Sequence, residues 1–259
     1  RDVAPSRGLG DVYKRQEVTW CAVITDTERQ YKMTVGDPVH MIPVLAICDP
    51  EITIGLPKSL TAACGVDALT HCIEAYTVQL HQPITDALAL KGISMIAENL
   101  EKAYENGEDR EARRNMMIAS TIGGMAFISS NVGAVHAFAE TVGAWFDTPH
   151  GVANSLFLPY IMEFNIPACP ERFADIADAM GIEREESMSD EQYALKAVEY
   201  VKALNRKLNI PTIKEIKGIT EERFEAIAER SANNVLSNDN ARKITKEDYL
   251  ELLKKAYNE

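Results

Sequence analysis

Asn131-Val-Gly-Ala-Val-His136-Ala-Phe-Ala-Glu140-Thr-Val-Gly-Ala-Trp-Phe-Asp-Thr-Pro-His150-Gly-Val-Ala-Asn154 is the stretch on which the fold turns. It closes an unusually neutral region: from Asn115 to Ala139 no side chain is charged, apart from any proton on His136. A run of that length is enough for a membrane span, which needs about 20 mostly apolar residues. Ser120, Thr121, Ser129, Ser130 and Asn131 interrupt it, however, and Gly123, Gly124 and Gly133 permit close backbone approach. The pattern predicts helix buried inside a protein, with His136 in an interior where a polar group needs a partner. His150 follows 14 residues later. On one straight helix that separation is about 21 Å, so the two imidazoles meet only if the chain turns. Asp147-Thr148-Pro149 supplies the break, because proline disfavours helix in the residue before it and suits the first turn of the next. A new helix over 151–163 is expected to fold back on the first.

Working outward, Cys64-Gly-Val-Asp67-Ala-Leu-Thr-His71-Cys-Ile-Glu-Ala-Tyr76 carries a second pair of ligand-type residues. Asp67 and His71 are four apart and therefore neighbours on one helical face. Val66, Leu69, Ile73 and Tyr76 form an apolar stripe roughly opposite. Between Leu60 and Ile73 nothing else is charged or carries an imidazole, which is the pattern of a helix buried on all sides. An Asp-x-x-x-His pair alone is also the mark of a simple hydrogen-bonded pair, and a lone buried His is commonly satisfied by a backbone carbonyl. Three imidazoles and one carboxylate together, all in charge-free surroundings, point to a divalent cation such as Zn or Fe.

These segments resemble the iron-containing (group III) alcohol dehydrogenase family. The matching residues are Gly-Val-Asp67-Ala-Leu-Thr-His71-Cys-Ile-Glu-Ala-Tyr, then Val-His136-Ala-Phe-Ala-Glu-Thr-Val-Gly-Ala, then Thr-Pro-His150-Gly-Val-Ala-Asn. The resemblance runs from Glu17 to the C-terminus. It implies that Asp67, His71, His136 and His150 hold Fe2+, with Zn2+ as the alternative, and that the cofactor is NAD or NADP. It further implies that Phe127 walls the substrate pocket and that Thr19 and Lys32 lie near the nicotinamide cofactor. Many members carry a second His four residues after the third ligand; here that position is Glu140.

The chain has 259 residues, 46% hydrophobic and 25% charged, with a formal charge of −12. That balance supports a real core and argues against nonspecific nucleic-acid binding or a basic membrane-surface patch. Its five cysteines are odd in number and form no Cys-x-x-Cys pair, which favours reduced thiols and a cytoplasmic setting. The N-terminus has no apolar central region of the kind a secretory signal needs.

Taken in order, Arg1 to Gln16 is aperiodic, basic and without a match in the family, and reads as a foreign or disordered leader. Residues 17–50 contain three strand-like runs, Val18–Thr25, Tyr31–Val35 and Val44–Asp49, separated by polar breaks. By resemblance they are a β remnant of an N-terminal dinucleotide-binding domain. No G-x-G-x-x-G occurs in the sequence, so the usual phosphate cradle at a helix N-terminus is absent from it. Residues 51–259 read as all-helical, with Ser59 expected to cap the metal-bearing helix. Further helices are expected over Thr85–Leu100, Arg110–Ala126, Glu171–Met180, Glu191–Leu208, Thr220–Ala232 and Thr245–Tyr257. The fold class is thus mainly α, the helical metal-binding domain of the iron-containing alcohol dehydrogenase and dehydroquinate synthase-like fold.

The expected function is hydride transfer between a primary or small alcohol, or its aldehyde, and NAD(P), with this chain weak or inactive alone and a homodimer open as its assembly. Rival readings are an inert metal-binding helical fragment and a zinc-dependent, glycerol-dehydrogenase-like enzyme. A helical metal hydrolase is a further rival, but the adjacent His-Asp pair of such phosphohydrolases does not occur here.

Overall fold

The computed structural model describes residues 18–26 and 31–259, the side chains of residues 23, 25 and 31–34 excepted. The expected leader, Arg1 to Gln16, lies outside the described residues. Strands β1 (Cys21–Asp26) and β2 (Tyr31–Gly36) pair antiparallel, with Cys21 opposite Gly36 and Asp26 opposite Tyr31. The third expected strand is not one. Residues 44–49 are irregular, and Val44, Leu45 and Ile47 are each more than three-quarters exposed. Their β-branched composition favours a strand only where a neighbouring ladder takes up the backbone groups, and none does so among the described residues.

From residue 58 the described chain is helical: α1 (Lys58–Thr77), α2 (Pro83–Glu105), α3 (Arg110–Ser130), α4 (Ala134–Phe146), α5 (His150–Asn165), α6 (Pro170–Ala179), α7 (Asp190–Lys207), α8 (Phe224–Ala232) and α9 (Lys246–Asn258). Helix α1 is the hub. Alanines and glycine let α2, α3 and α5 pack close around it, and every side chain from Gly65 to Thr77 is buried. Ser59 does not cap it: α1 starts one residue earlier, behind Pro57, and makes no side-chain cap bond. Proline at that position presets the backbone for helix entry without needing a capping hydroxyl. The expected cap of the last helix does form, as a box in which Thr245 Oγ1 accepts from Asp248 N and the Asp248 carboxylate accepts from Thr245 N.

The neutral run is divided between two helices. Asn131, in the left-handed region at φ 77°, ends α3, and α3 and α4 meet at 105°. Among the described residues no single helix is long and apolar enough to cross a membrane; that bent pair alone passes on length and composition. Its apolar residues go into the core: Phe138 of α4 stacks on Phe157 of α5 at 4.0 Å and meets Tyr249 of α9 edge-on at 4.7 Å. Burying each such ring contributes about 1.5–3 kcal/mol.

Helices α1 and α5 are in tight contact at Gly151. A Cβ there would fall against the Ala63 carbonyl, nearer than real Cβ atoms come. Gly151→Ala must therefore part the two helices that carry Asp67 and His150. Such overpacking costs roughly 1–3 kcal/mol, and urea unfolding should show the midpoint drop accordingly. An unchanged midpoint would mean that the approach is looser than described.

Candidate metal centre

Three helices bring the four ligand-type residues to one point. Asp67 and His71 share a face of α1, His136 stands in the first turn of α4, and His150 opens α5 immediately behind Pro149. One ligand atom from each can be chosen so that all lie within 4.8 Å of one another. Asp67, His71 and His136 are buried and His150 nearly so. The rings of His71 and His136 meet edge-on at 4.5 Å, and those of His136 and His150 lie 5.3 Å apart.

Each imidazole is oriented by its surroundings. His71 Nδ1 lies 2.7 Å from the Asp67 carbonyl one turn back, a contact that makes Nδ1 the protonated nitrogen and leaves Nε2 to coordinate. His136 Nδ1 makes a short hydrogen bond with Glu74 Oε2. The other Glu74 oxygen, Oε1, accepts from Val135 N at 2.8 Å at the start of α4, where the helix dipole favours negative charge. Burial works against the charged form of His136, but Glu74, Asp67 and Glu140 lift its pKa above the ordinary imidazole value.

A cation suits this donor set on two observations. Buried carboxylates at Asp67 and Glu74 make the centre electronegative, and such groups are tolerated inside a protein when paired or metal-bound. The side-chain nitrogen of Asn154 also sits among the donors, 2.5 Å from Asp67 Oδ1 and 3.2 Å from Nε2 of both His136 and His150. An amide nitrogen has two hydrogens, fewer than the three polar atoms converging on it. Asn154 Oδ1 is buried in the same place and has no hydrogen-bond partner. An O/N/N donor set crowding one point fits zinc, iron and similar ions.

Phe127 lies at this centre, its ring 4.5 Å from that of His71 and partly exposed. Glu140, one helical turn beyond His136, accepts from Asn234 Nδ2 at 2.7 Å in a cleft of about 440 Å³ lined also by Trp145, Arg230 and Asn233. Thr19 is buried, but its hydroxyl donates to the Cys21 carbonyl at 3.1 Å. Lys32 lies on β2, and its side chain is outside the described residues.

Sequence reasoning passed over Glu74 and Asn154. Both sit at helical spacing from a ligand, three residues after His71 and four after His150, so the signal was there. A glutamate in a neutral helix reads as a surface residue until its partner on α4 is seen.

Residues 61–257 match the family model for the Fe-containing alcohol dehydrogenase family, C-terminal. Alcohol dehydrogenase 4 of Saccharomyces cerevisiae is 41% identical over 244 residues, 93% of this chain and 62% of that protein. A 1,3-propanediol dehydrogenase of Klebsiella pneumoniae is 39% identical over 241 residues, with the same coverage. The solved structure of an alcohol dehydrogenase from Oenococcus oeni superposes with a TM-score of 0.88 at 39% identity, covering 93% of this chain and 62% of that one. The chain therefore spans about 62% of the length of the relatives it matches.

Proposed function

Because the chain belongs to the Fe-containing alcohol dehydrogenase family, we propose that it carries the metal and alcohol-oxygen side of an enzyme that moves a hydride between a small alcohol and NAD or NADP. The observation that carries this is the convergence of Asp67, His71, His136 and His150 within 4.8 Å. Those four side chains hold the cation, Fe2+ by family and Zn2+ by affinity, since intrinsic affinity favours zinc over iron at such a site. When bound, the ion supplies Lewis acidity to an alcohol or aldehyde oxygen, as metal sites of this kind do. Glu74 keeps His136 with Nδ1 engaged and Nε2 presented, and the Asp67 carbonyl does the same for His71. Phe127 supplies an apolar wall beside His71, which excludes water from the reacting carbon and limits its size.

The named relatives act on 1,3-propanediol, lactaldehyde and butanol, which supports a short-chain alcohol or its aldehyde as substrate here. NAD and NADP are both represented among the relatives' names. All five cysteines stand as thiols, which suits a cytoplasmic setting.

The test joins residues 17–259 behind the N-terminal portion of the Klebsiella relative. The chimera should bind one equivalent of metal and reduce a short aldehyde with a nicotinamide cofactor. Its rate should collapse with chelation and return with Fe2+ or Zn2+. A folded, NADH-binding, metal-loaded chimera with no turnover would overturn the proposal.

A further inference from the structure

We infer that Asn154 is a positioning residue of the cation site, holding the Asp67 carboxylate in the orientation that metal binding needs; this rests on the metal reading above. Asn154 is fully buried on α5, one turn after His150, and reaches across to α1. Its Nδ2 donates to Asp67 Oδ1 at 2.5 Å, a shorter contact than the 3.2 Å to either imidazole. With one hydrogen on the carboxylate, only one is left for the two imidazole nitrogens, so Asp67 is its principal partner.

The apolar alternative makes the case sharper. A buried amide with an unpartnered Oδ1 is a poor choice for packing alone, and leucine would fill similar space without a stranded acceptor. The donor side explains the amide. Asp67 has no exposed surface, so water cannot fix its carboxylate plane. A single neutral donor can, and it does so without adding charge of its own. Because Asp67 and Asn154 lie on different helices, the bond also sets the spacing between the helix bearing the first two ligands and the helix bearing the last. Outer partners of this kind commonly govern metal affinity by 10–100-fold.

The experiment uses the whole chain, stripped of metal and titrated with Co2+ against a chelator of known affinity, while the visible d–d absorption is followed. Asn154→Ala should bind Co2+ roughly 10–100-fold more weakly than wild type, with displaced bands that report an altered ligand geometry. Asn154→Leu keeps most of the side-chain volume and should behave alike, which covers the case where the smaller side chain prevents folding. Affinity within twofold of wild type and an unchanged spectrum in either folded variant would overturn the inference, even if the melting temperature fell. Failure of wild type itself to bind Co2+ would overturn the metal reading and this inference with it. The two failures are therefore distinguishable.

Discussion

Asp67→Ala should empty the cation site more completely than the loss of any of the three imidazoles. Asp67 is the sole anionic member of the four, it has no solvent exposure, and its carboxylate faces His150 Nε2 at 3.6 Å and accepts from Asn154. A cation at this point loses its one charged donor, and solvent has little access to replace it. Breaking a buried charge pair by removing one partner costs roughly 3–5 kcal/mol. In affinity that is about two to four orders of magnitude, enough to leave a gel-filtered sample with far less than one metal per chain. Asp67→Asn preserves the shape and should lose the ion almost as fully. It separates charge from packing in a second way. Without metal, Asp67→Asn should be at least as stable as wild type, because a buried carboxylate is no longer held in apolar surroundings. With metal in excess the order should reverse, since binding stabilises the wild type alone. Elemental analysis and thermal unfolding with and without metal check both halves. Full stoichiometric metal in Asp67→Ala would put the site elsewhere.

Much of this site could be read before any coordinates, for a physical reason. A residue that is polar in a neutral, small-residue segment has to be compensated, and the sequence shows that need even when it does not show the partner. Asp67, His71 and His136 stand out on that ground, and Pro149 announces the turn that brings His150 back. The compensating residues are harder to see. Glu74 lies one residue beyond the stretch of α1 in which Asp67 and His71 alone are charged or carry an imidazole, and it is buried where α4 presents both His136 and its own Val135 amide to it. Asn154 is ordinary in sequence and becomes informative through contacts across 87 positions of chain. The failure at Val44–Asp49 has the opposite cause. Local composition there favours a strand, but a strand is a pairing, and a ladder partner cannot be inferred from one run of residues. Ser59 illustrates the same limit at smaller scale: a good capping residue lies one position inside the helix rather than before it, and Pro57 sets the start.

Those exposed residues bear on the second large effect, which concerns the cofactor. This polypeptide alone should bind NADH so weakly that fluorescence titration shows no saturation at micromolar concentrations, and its aldehyde reduction should be negligible even when fully metal-loaded. Among the described residues the only sheet is a two-stranded hairpin, and the sequence holds no G-x-G-x-x-G turn to cradle a pyrophosphate. A single βαβ unit takes about 30 residues or more, and a dinucleotide fold needs several. Hydride transfer requires the nicotinamide ring to be held within about 3–3.5 Å of the reacting carbon, and a metal site can place the alcohol without placing the ring. The same reasoning predicts association: Val39, Val44, Leu45 and Ile47 are each at least three-quarters exposed within nine residues, and apolar patches of that kind draw in partners or copies. Light scattering should therefore show self-association that rises with concentration, and the chimera with the Klebsiella N-terminal portion should lose it while gaining NADH binding. Saturable micromolar NADH binding by the unextended chain, together with robust aldehyde reduction, would show that its own residues complete a cofactor site and would refute this expectation.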